Sequence, residues 1–308
     1  MKAPKIRLST FVCALVVFAG CAKQEAGKEA SGSTQQEVTL QEPSDAEIKT
    51  HALAFNAILD ARNEYLHSKL IPYRDLSKSF NETVTAKETL SGSWGINSRE
   101  ELLAMLEGIR TGEDGHRGDY WSIREKFLHT RIEEYGSLLY RGPVDTNRAF
   151  VVAVHLGAPV GKALPITAWD FGRYINLSRF GFVTGWLGGK ETWDLIMPVA
   201  RMLQASYGSW DEFAADYLLG RTFWDPARAQ KENEEIRYTI KMLERPDGGL
   251  WASIPWNQSL GAGPVMEDPM AAAVLKDYKP LNGNMPDPGY MPPEGVKAWA
   301  LRTSQDAK

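Results

Sequence analysis

The sequence predicts a mainly α protein, an irregular antiparallel helical bundle with at most a few short strands and a Pro/Gly-rich C-terminal tail. Three observations carry the prediction. Apolar residues recur at three- and four-residue spacing through much of residues 44–244. Capping patterns open several of those stretches. The breaks between them are short, which makes successive helices antiparallel neighbours. The composition agrees: 43% hydrophobic and 24% charged over 308 residues is ordinary for a globular chain, and the length allows one large domain or two small ones.

Taken in order, Ser44-Asp45-Ala46-Glu47 is a capping box ahead of a helix from Ile48 to about His67. Asn97 or Ser98, with Glu100 or Glu101 three residues on, opens a second helix that buries Leu102, Leu103, Leu106 and Ile109. Tyr120, Ile123, Phe127 and Tyr135 place a third over Asp119 to Leu139. Phe150 to Leu156 is Val-rich and reads as a short strand or a buried segment, between which periodicity does not choose. Thr167 with Asp170 opens a helix to about Trp186, ended by Gly188-Gly189. Glu191 to Tyr207 follows with a stripe of Trp193, Ile196, Met197, Ala200 and Leu203, and Pro198 inside it predicts a kink. Ser209 with Glu212 starts a helix to Trp224. Asp225-Pro226 then supplies N-cap and first residue of another, reaching Glu244 through Ile236, Ile240 and Leu243. The helical domain spans 44–259. Residues 260–308 hold five Gly and seven Pro and read as an irregular tail with a weak helical piece at Val296 to Arg302.

The first residues are an address. Lys2, Lys5 and Arg7 precede a short apolar run, Phe11 to Ala19, too short to span a membrane and followed by Gly20-Cys21. Phe18-Ala19-Gly20-Cys21 resembles the bacterial lipobox, with Phe18 where Leu is usual. That resemblance implies a signal peptide over 1–20 and lipidation of Cys21 as the new N-terminus. Ala22, not Asp, follows the cysteine, which in a Gram-negative cell implies outer-membrane sorting. Residues 21–43 are rich in Lys, Glu, Gln and Ser and read as a flexible tether. The expected partners are therefore a membrane, through the lipid, and an envelope protein.

Removal of the leader, with three positive residues and no acid, takes the formal charge from −4 to −7. That disfavours a nucleic-acid partner, which asks for a basic face. Cys13 leaves with the leader and Cys21 is used by the lipid, so thiol chemistry, Cys–Zn sites and disulfides are excluded. No Gly-x-Ser-x-Gly elbow, His-Glu-x-x-His pair or phosphate-cradling Gly-Lys-Ser/Thr loop is present, and nothing calls for a cofactor or metal.

Ala168-Trp169-Asp170-Phe171-Gly172-Arg173, Asn176-Leu177, Arg179-Phe180-Gly181, Trp210-Asp211-Glu212-Phe213, Tyr217 to Arg221 and Phe223-Trp224 resemble the bacterial family called domain of unknown function 1266. Leu90 to Ile96, Gly115-His116 and Ile254-Pro255-Trp256 resemble its flanks, so the likeness covers about 90–256. It implies no activity.

Helical wheels give the site candidates. Arg179 falls amid Ala168, Phe171, Ile175, Phe182, Val183 and Trp186; Arg221 falls amid Trp210, Phe213, Ala214, Tyr217 and Trp224. Arginine on such stripes requires a carboxylate or carbonyls, with Asp170, Asp194, Glu212 and Asp216 nearest in sequence. Both arginines are expected at the shared helix interface, either locked in a structural ion-pair network or lining an anion pocket. A second stripe, Trp169, Arg173, Asn176 and Phe180, reads as a pocket floor or a solvated edge. The candidate set is Trp169, Asp170, Arg173, Asn176, Arg179, Asp216 and Arg221. His116, in an acidic, Gly-containing turn, stands in reserve as an acid–base or metal residue. The leading expectation is a non-catalytic envelope domain that binds a protein or an anion. The alternative is a hydrolase or transferase built on Arg173, Arg179, Arg221 and Asp170.

Overall fold

Ser44 opens the body of the chain as its spacing predicts. Its hydroxyl accepts from the Glu47 amide, and the Glu47 carboxylate accepts from the Ser44 amide at 2.7 Å. The computed structural model describes residues 42–73, 81–131, 134–141, 145–158 and 160–278; the leader, Cys21, nearly all of the tether and the expected helical piece at 296–302 lie outside the described residues.

Where one helix is expected to His67 there are two, α1 (Asp45–Ala54) and α2 (Ala57–Arg62). Asn56 at the break turns its amide into the interior, donating to Asp60 at 2.8 Å and Asn176 at 3.4 Å. Asn81 caps α3 (Glu82–Trp94), which the periodicity did not reveal because it buries little besides Ala86 and Leu90. Ser98 caps α4 (Arg99–Thr111), with Leu102, Leu106 and Ile109 inward. The helix expected over 119–139 is also two, α5 (Arg117–Leu128) and α6 (Tyr135–Arg141). They part where His129 and Thr130 bond back to the carbonyls of Glu125 and Lys126, at 2.8 and 2.6 Å. The Val-rich run is helical, α7 (Thr146–Val154), capped by Asp145. It is buried from Ala149 to Ala153, and a helix covered on all sides has no polar period to read.

Then come α8 (Thr167–Val183), α9 (Gly189–Ser206), α10 (Trp210–Trp224) and α11 (Pro226–Leu243), within a few residues of their expected bounds. Pro198 lies inside α9, and its carbonyl accepts from the Met266 amide at 3.0 Å. A short α12 (Leu250–Ser253) and α13 (Pro269–Asp277) close the described chain, so the stretch expected to be irregular contains a helix, capped by Asp268. The segment before it is held by α9: the Arg201 guanidinium donates to the carbonyls of Leu260, Gly261, Ala262 and Pro264 at 3.0–3.2 Å. No strand occurs among the described residues, and no helix among them is long and apolar enough to cross a membrane.

α8 is the centre of the bundle, packed by α10, α9, α4 and α3. From Thr167 to Gly181 every residue is buried except Arg173. Beside it an aromatic cluster joins α1 to the start of α10 and to residues 251–256. Trp210 stacks on Trp251 at 4.9 Å, Trp256 meets Trp210 edge-on at 4.8 Å, and Phe55 lies 5.1 Å from Trp210. His51 is fully buried within this cluster, stacked on Phe55 at 5.7 Å.

Glu244, at the C-terminal end of α11, faces Asp211 in the first turn of α10, and burial together with that second carboxylate pushes its pKa up to about 7. A proton held on Glu244 therefore stabilises the fold below pH 4.5, and that stabilisation is lost as pH rises toward 7. Glu244→Gln, which keeps the protonated shape, is expected to melt higher than wild type at pH 8 and to match it at pH 4. A difference that does not grow between those pH values would show that the pair does not titrate this way.

Candidate functional site

The site is built at the N-terminal end of α8 and along its length. Ile166, just before α8, has φ 64°, a left-handed conformation rare for a β-branched residue and costing about 1–3 kcal/mol. Asp216 of α10 holds it there, accepting from the amides of Ile166 at 2.7 Å and Ala168 at 2.9 Å and from the Tyr207 hydroxyl at 2.6 Å. Burial pushes the Asp216 carboxyl up, although those three donors oppose it, and the Tyr207 phenol is raised well above its usual value. Asp216 is thus the cap of α8, a task the spacing of Thr167 and Asp170 assigns to α8 itself.

Asp170 serves α5 instead. Its Oδ2 accepts from the His116 and Arg117 amides at 2.8 and 2.9 Å, supplying negative charge to that helix start. Burial raises its pKa, but His116, Arg173 and Arg117 outweigh burial and leave the carboxyl below its ordinary value. Arg117, fully buried, ion-pairs with Asp268, donates to the Ile109 carbonyl at 2.7 Å and packs on Phe171 at 4.5 Å.

Arg179 has no exposure and meets Asp60 of α2 at 2.6 and 2.8 Å, with a further bond to the Lys69 carbonyl at 2.8 Å. Arg221, also fully buried, pairs with Glu232 of α11 and lies 4.8 Å over Trp224. Both face carboxylates as the wheels require. The partners come from α2 and α11, not from the four acids nearest in sequence. Asn176 joins the Arg179 group through Asn56, and Phe180 packs against Tyr73 at 6.2 Å, so the stripe expected to floor one pocket divides in two.

Trp169 and Arg173 remain together. The Arg173 guanidinium lies 5.0 Å over Trp169 and 4.4 Å over Trp94, and its Nη1 is 2.8 Å from His116 Nδ1 and 3.5 Å from Asp170 Oδ1. Its side chain is 12% exposed, against none for Arg117, Arg179 and Arg221. Trp224, on the apolar wheel of α10, is 43% exposed and tilts against Trp169 at 5.7 Å. Among the described residues no cluster of three or more His, Cys, Asp or Glu is placed to hold a metal.

Sequence reasoning missed Asp60, Arg117, Arg124, Glu232 and Asp268. Arg124, which donates to the carbonyls of His155 and Ala158 at 3.1 and 3.3 Å, carries the same signal as Arg179 because it lies between Tyr120 and Phe127 on the apolar stripe of α5. The Asn56–Asp60 pair, four apart in an apolar stretch, is the corresponding trace of the Arg179 partner.

A mainly α domain centred on a buried helix, with arginine pairs joining its helices, is the class this geometry defines. A family model described as Protein of unknown function (DUF1266) matches residues 89–256, and the chain belongs to that family. The uncharacterized protein YbeU of Escherichia coli K12 is 26% identical over 240 residues, covering 72% of this chain and 95% of its own length. The uncharacterized protein YbeR of the same strain is 26% identical over 181 residues, covering 58% of this chain and 73% of its own. No solved structure matches the chain.

Proposed function

We propose that the chain is an exported lipoprotein whose helical domain binds a protein or an anionic group at the cell envelope without chemical turnover, held there by a lipid on Cys21 and the tether of residues 21–43. In a Gram-negative cell Ala22 directs it to the outer membrane. The observation that carries the non-catalytic reading is the closure of the buried arginines. The Nη groups of Arg117, Arg124, Arg179 and Arg221 end on the chain's own carboxylates and carbonyls, and Asp60, Asp170 and Asp216 are occupied as ion-pair partners or helix caps. Groups so occupied hold helices in register; they are not positioned to meet a reacting atom.

The anchoring half is tested by metabolic labelling with an alkyne fatty acid. Wild type should label and fractionate with membranes, and Cys21→Ser should lose both properties, because the only other cysteine, Cys13, lies in the leader. Label on Cys21→Ser, or none on wild type, overturns the anchor.

A further inference from the structure

We propose that the outward edge of Arg173, with His116 beside it, is a binding site for a carboxylate presented by another molecule. This rests on the non-catalytic binding reading and names the chemistry of its ligand. Arg173 is where the central helix reaches the surface: Thr167 to Gly181 are otherwise buried. Arg117, Arg179 and Arg221 have no side-chain exposure, whereas the side chain of Arg173 is 12% exposed. Nη1 faces His116 and Asp170, while Nε and Nη2 have no hydrogen-bond partner among the described residues. Those two groups form one side of the planar guanidinium, the fork that matches both oxygens of a carboxylate.

The surroundings prepare that fork. Trp94 and Trp169 pack on the guanidinium at 4.4 and 5.0 Å and fix its plane, so little side-chain freedom is left to lose on binding. His116 Nδ1 lies 2.8 Å from Nη1, so the imidazole stands directly beside the fork. Donor geometry selects the ligand. Arg173 and Arg117 are already balanced by Asp170 and Asp268, so recognition rests on the two-point fork and not on surplus positive charge. Each further negative charge on the ligand counts against binding, which favours a carboxylate over a phosphate dianion. Trp224, 43% exposed and 5.7 Å from Trp169, offers an apolar shelf to whatever carries the carboxylate.

The test uses the full chain in neutral detergent, labelled on arginine and histidine nitrogen, with NMR of the Arg173 Nε–H and the His116 ring. The probes are acetate, acetyl-Ala-Ala with a free C-terminus, acetyl-Ala-Asp-Ala-amide, acetyl-Ala-Ala-amide and inorganic phosphate. Saturable shifts at both residues are expected with the carboxylates and not with the neutral amide. Arg173→Lys, with helicity and melting checked against wild type, should weaken binding roughly tenfold or more, because lysine cannot replace a two-point donor. The tightest carboxylate identifies the source: a chain terminus, an acidic side chain, or a free small acid. The site is overturned by no saturation with any carboxylate, by an equal response to the amide, by phosphate binding tighter than every carboxylate, or by full affinity in Arg173→Lys. Fatty-acid labelling at Cys21 is independent of all these arms, so a failed titration with intact labelling removes this site and leaves the anchor standing.

Discussion

Arg179→Ala is expected to lower the unfolding free energy by about 3–5 kcal/mol, a large part of the roughly 5–15 kcal/mol that holds a domain of ordinary stability. The size follows from what is left behind. Asp60 has no exposure, and without Arg179 its carboxylate keeps, among the described residues, one hydrogen bond, from the Asn56 amide at 2.8 Å, with His67 Nδ1 in looser contact at 3.5 Å. The Lys69 carbonyl also loses its donor. Arg179→Lys should rescue little, since one ammonium cannot reach both the carboxylate and the carbonyls from the guanidinium's positions. Asp60→Ala should cost a similar amount. The pair Arg179→Met with Asp60→Leu should recover much of the loss, because removing both charges abolishes the desolvation that one unpaired charge incurs. Urea denaturation of the four variants is the measurement. An Arg179→Ala loss under about 1 kcal/mol would mean that the pair does not hold α2 against α8.

The second large effect depends on pH. Burial drives the His51 pKa down to about 4, offset only in part by the Gln258 carbonyl, so the imidazole stays neutral in the folded protein where an unfolded chain would be protonated. Between pH 6.5 and 4 the unfolded state binds the extra proton, and stability falls as pH falls, by about 3 kcal/mol across the window. Below pH 4 the folded state titrates too and this contribution levels off. His51→Phe, which keeps a ring against Phe55 and Trp210, should flatten that part of the pH–stability curve whatever its effect at neutral pH. Equal slopes for wild type and His51→Phe between pH 6.5 and 4 would show that the proton is accommodated elsewhere.

Helices with one wet face were legible in the sequence. α4, α9, α10 and α11 combine a cap with an apolar stripe, and their bounds follow within a few residues. α7 was not, because burial on every side erases the contrast that periodicity measures, and α3 was not, because it is nearly polar all round. The breaks at Asn56 and His129 come from side chains turning to other acceptors, a competition that apolar spacing does not register. In the site, the requirement that Arg179 and Arg221 meet carboxylates was legible from desolvation alone. The identity of Asp60, 119 residues away, was not, since nothing local in a helix names its packing partner. The wheel separated Arg179, on the apolar face, from Arg173, on a second stripe, but the neighbours that bury the one and leave the other partly exposed come from distant parts of the chain.

The placement of α8 also bears on how the molecule assembles. Its cap, Asp216, and the partner of Arg179, Asp60, stand on opposite sides of it in the chain, and the Trp251 indole reaches back 197 residues to the Ala54 carbonyl at 3.1 Å. A chain that has emerged only as far as Val183 holds the central helix without its cap and without the aromatic cluster that seals α1. Most of the helices can form from local contacts, but the bond that closes the aromatic cluster over α1 waits for residue 251. If the chain is exported as proposed, that dependence on late residues is useful, because the first half of the domain lacks the partners that cap its central helix and seal α1.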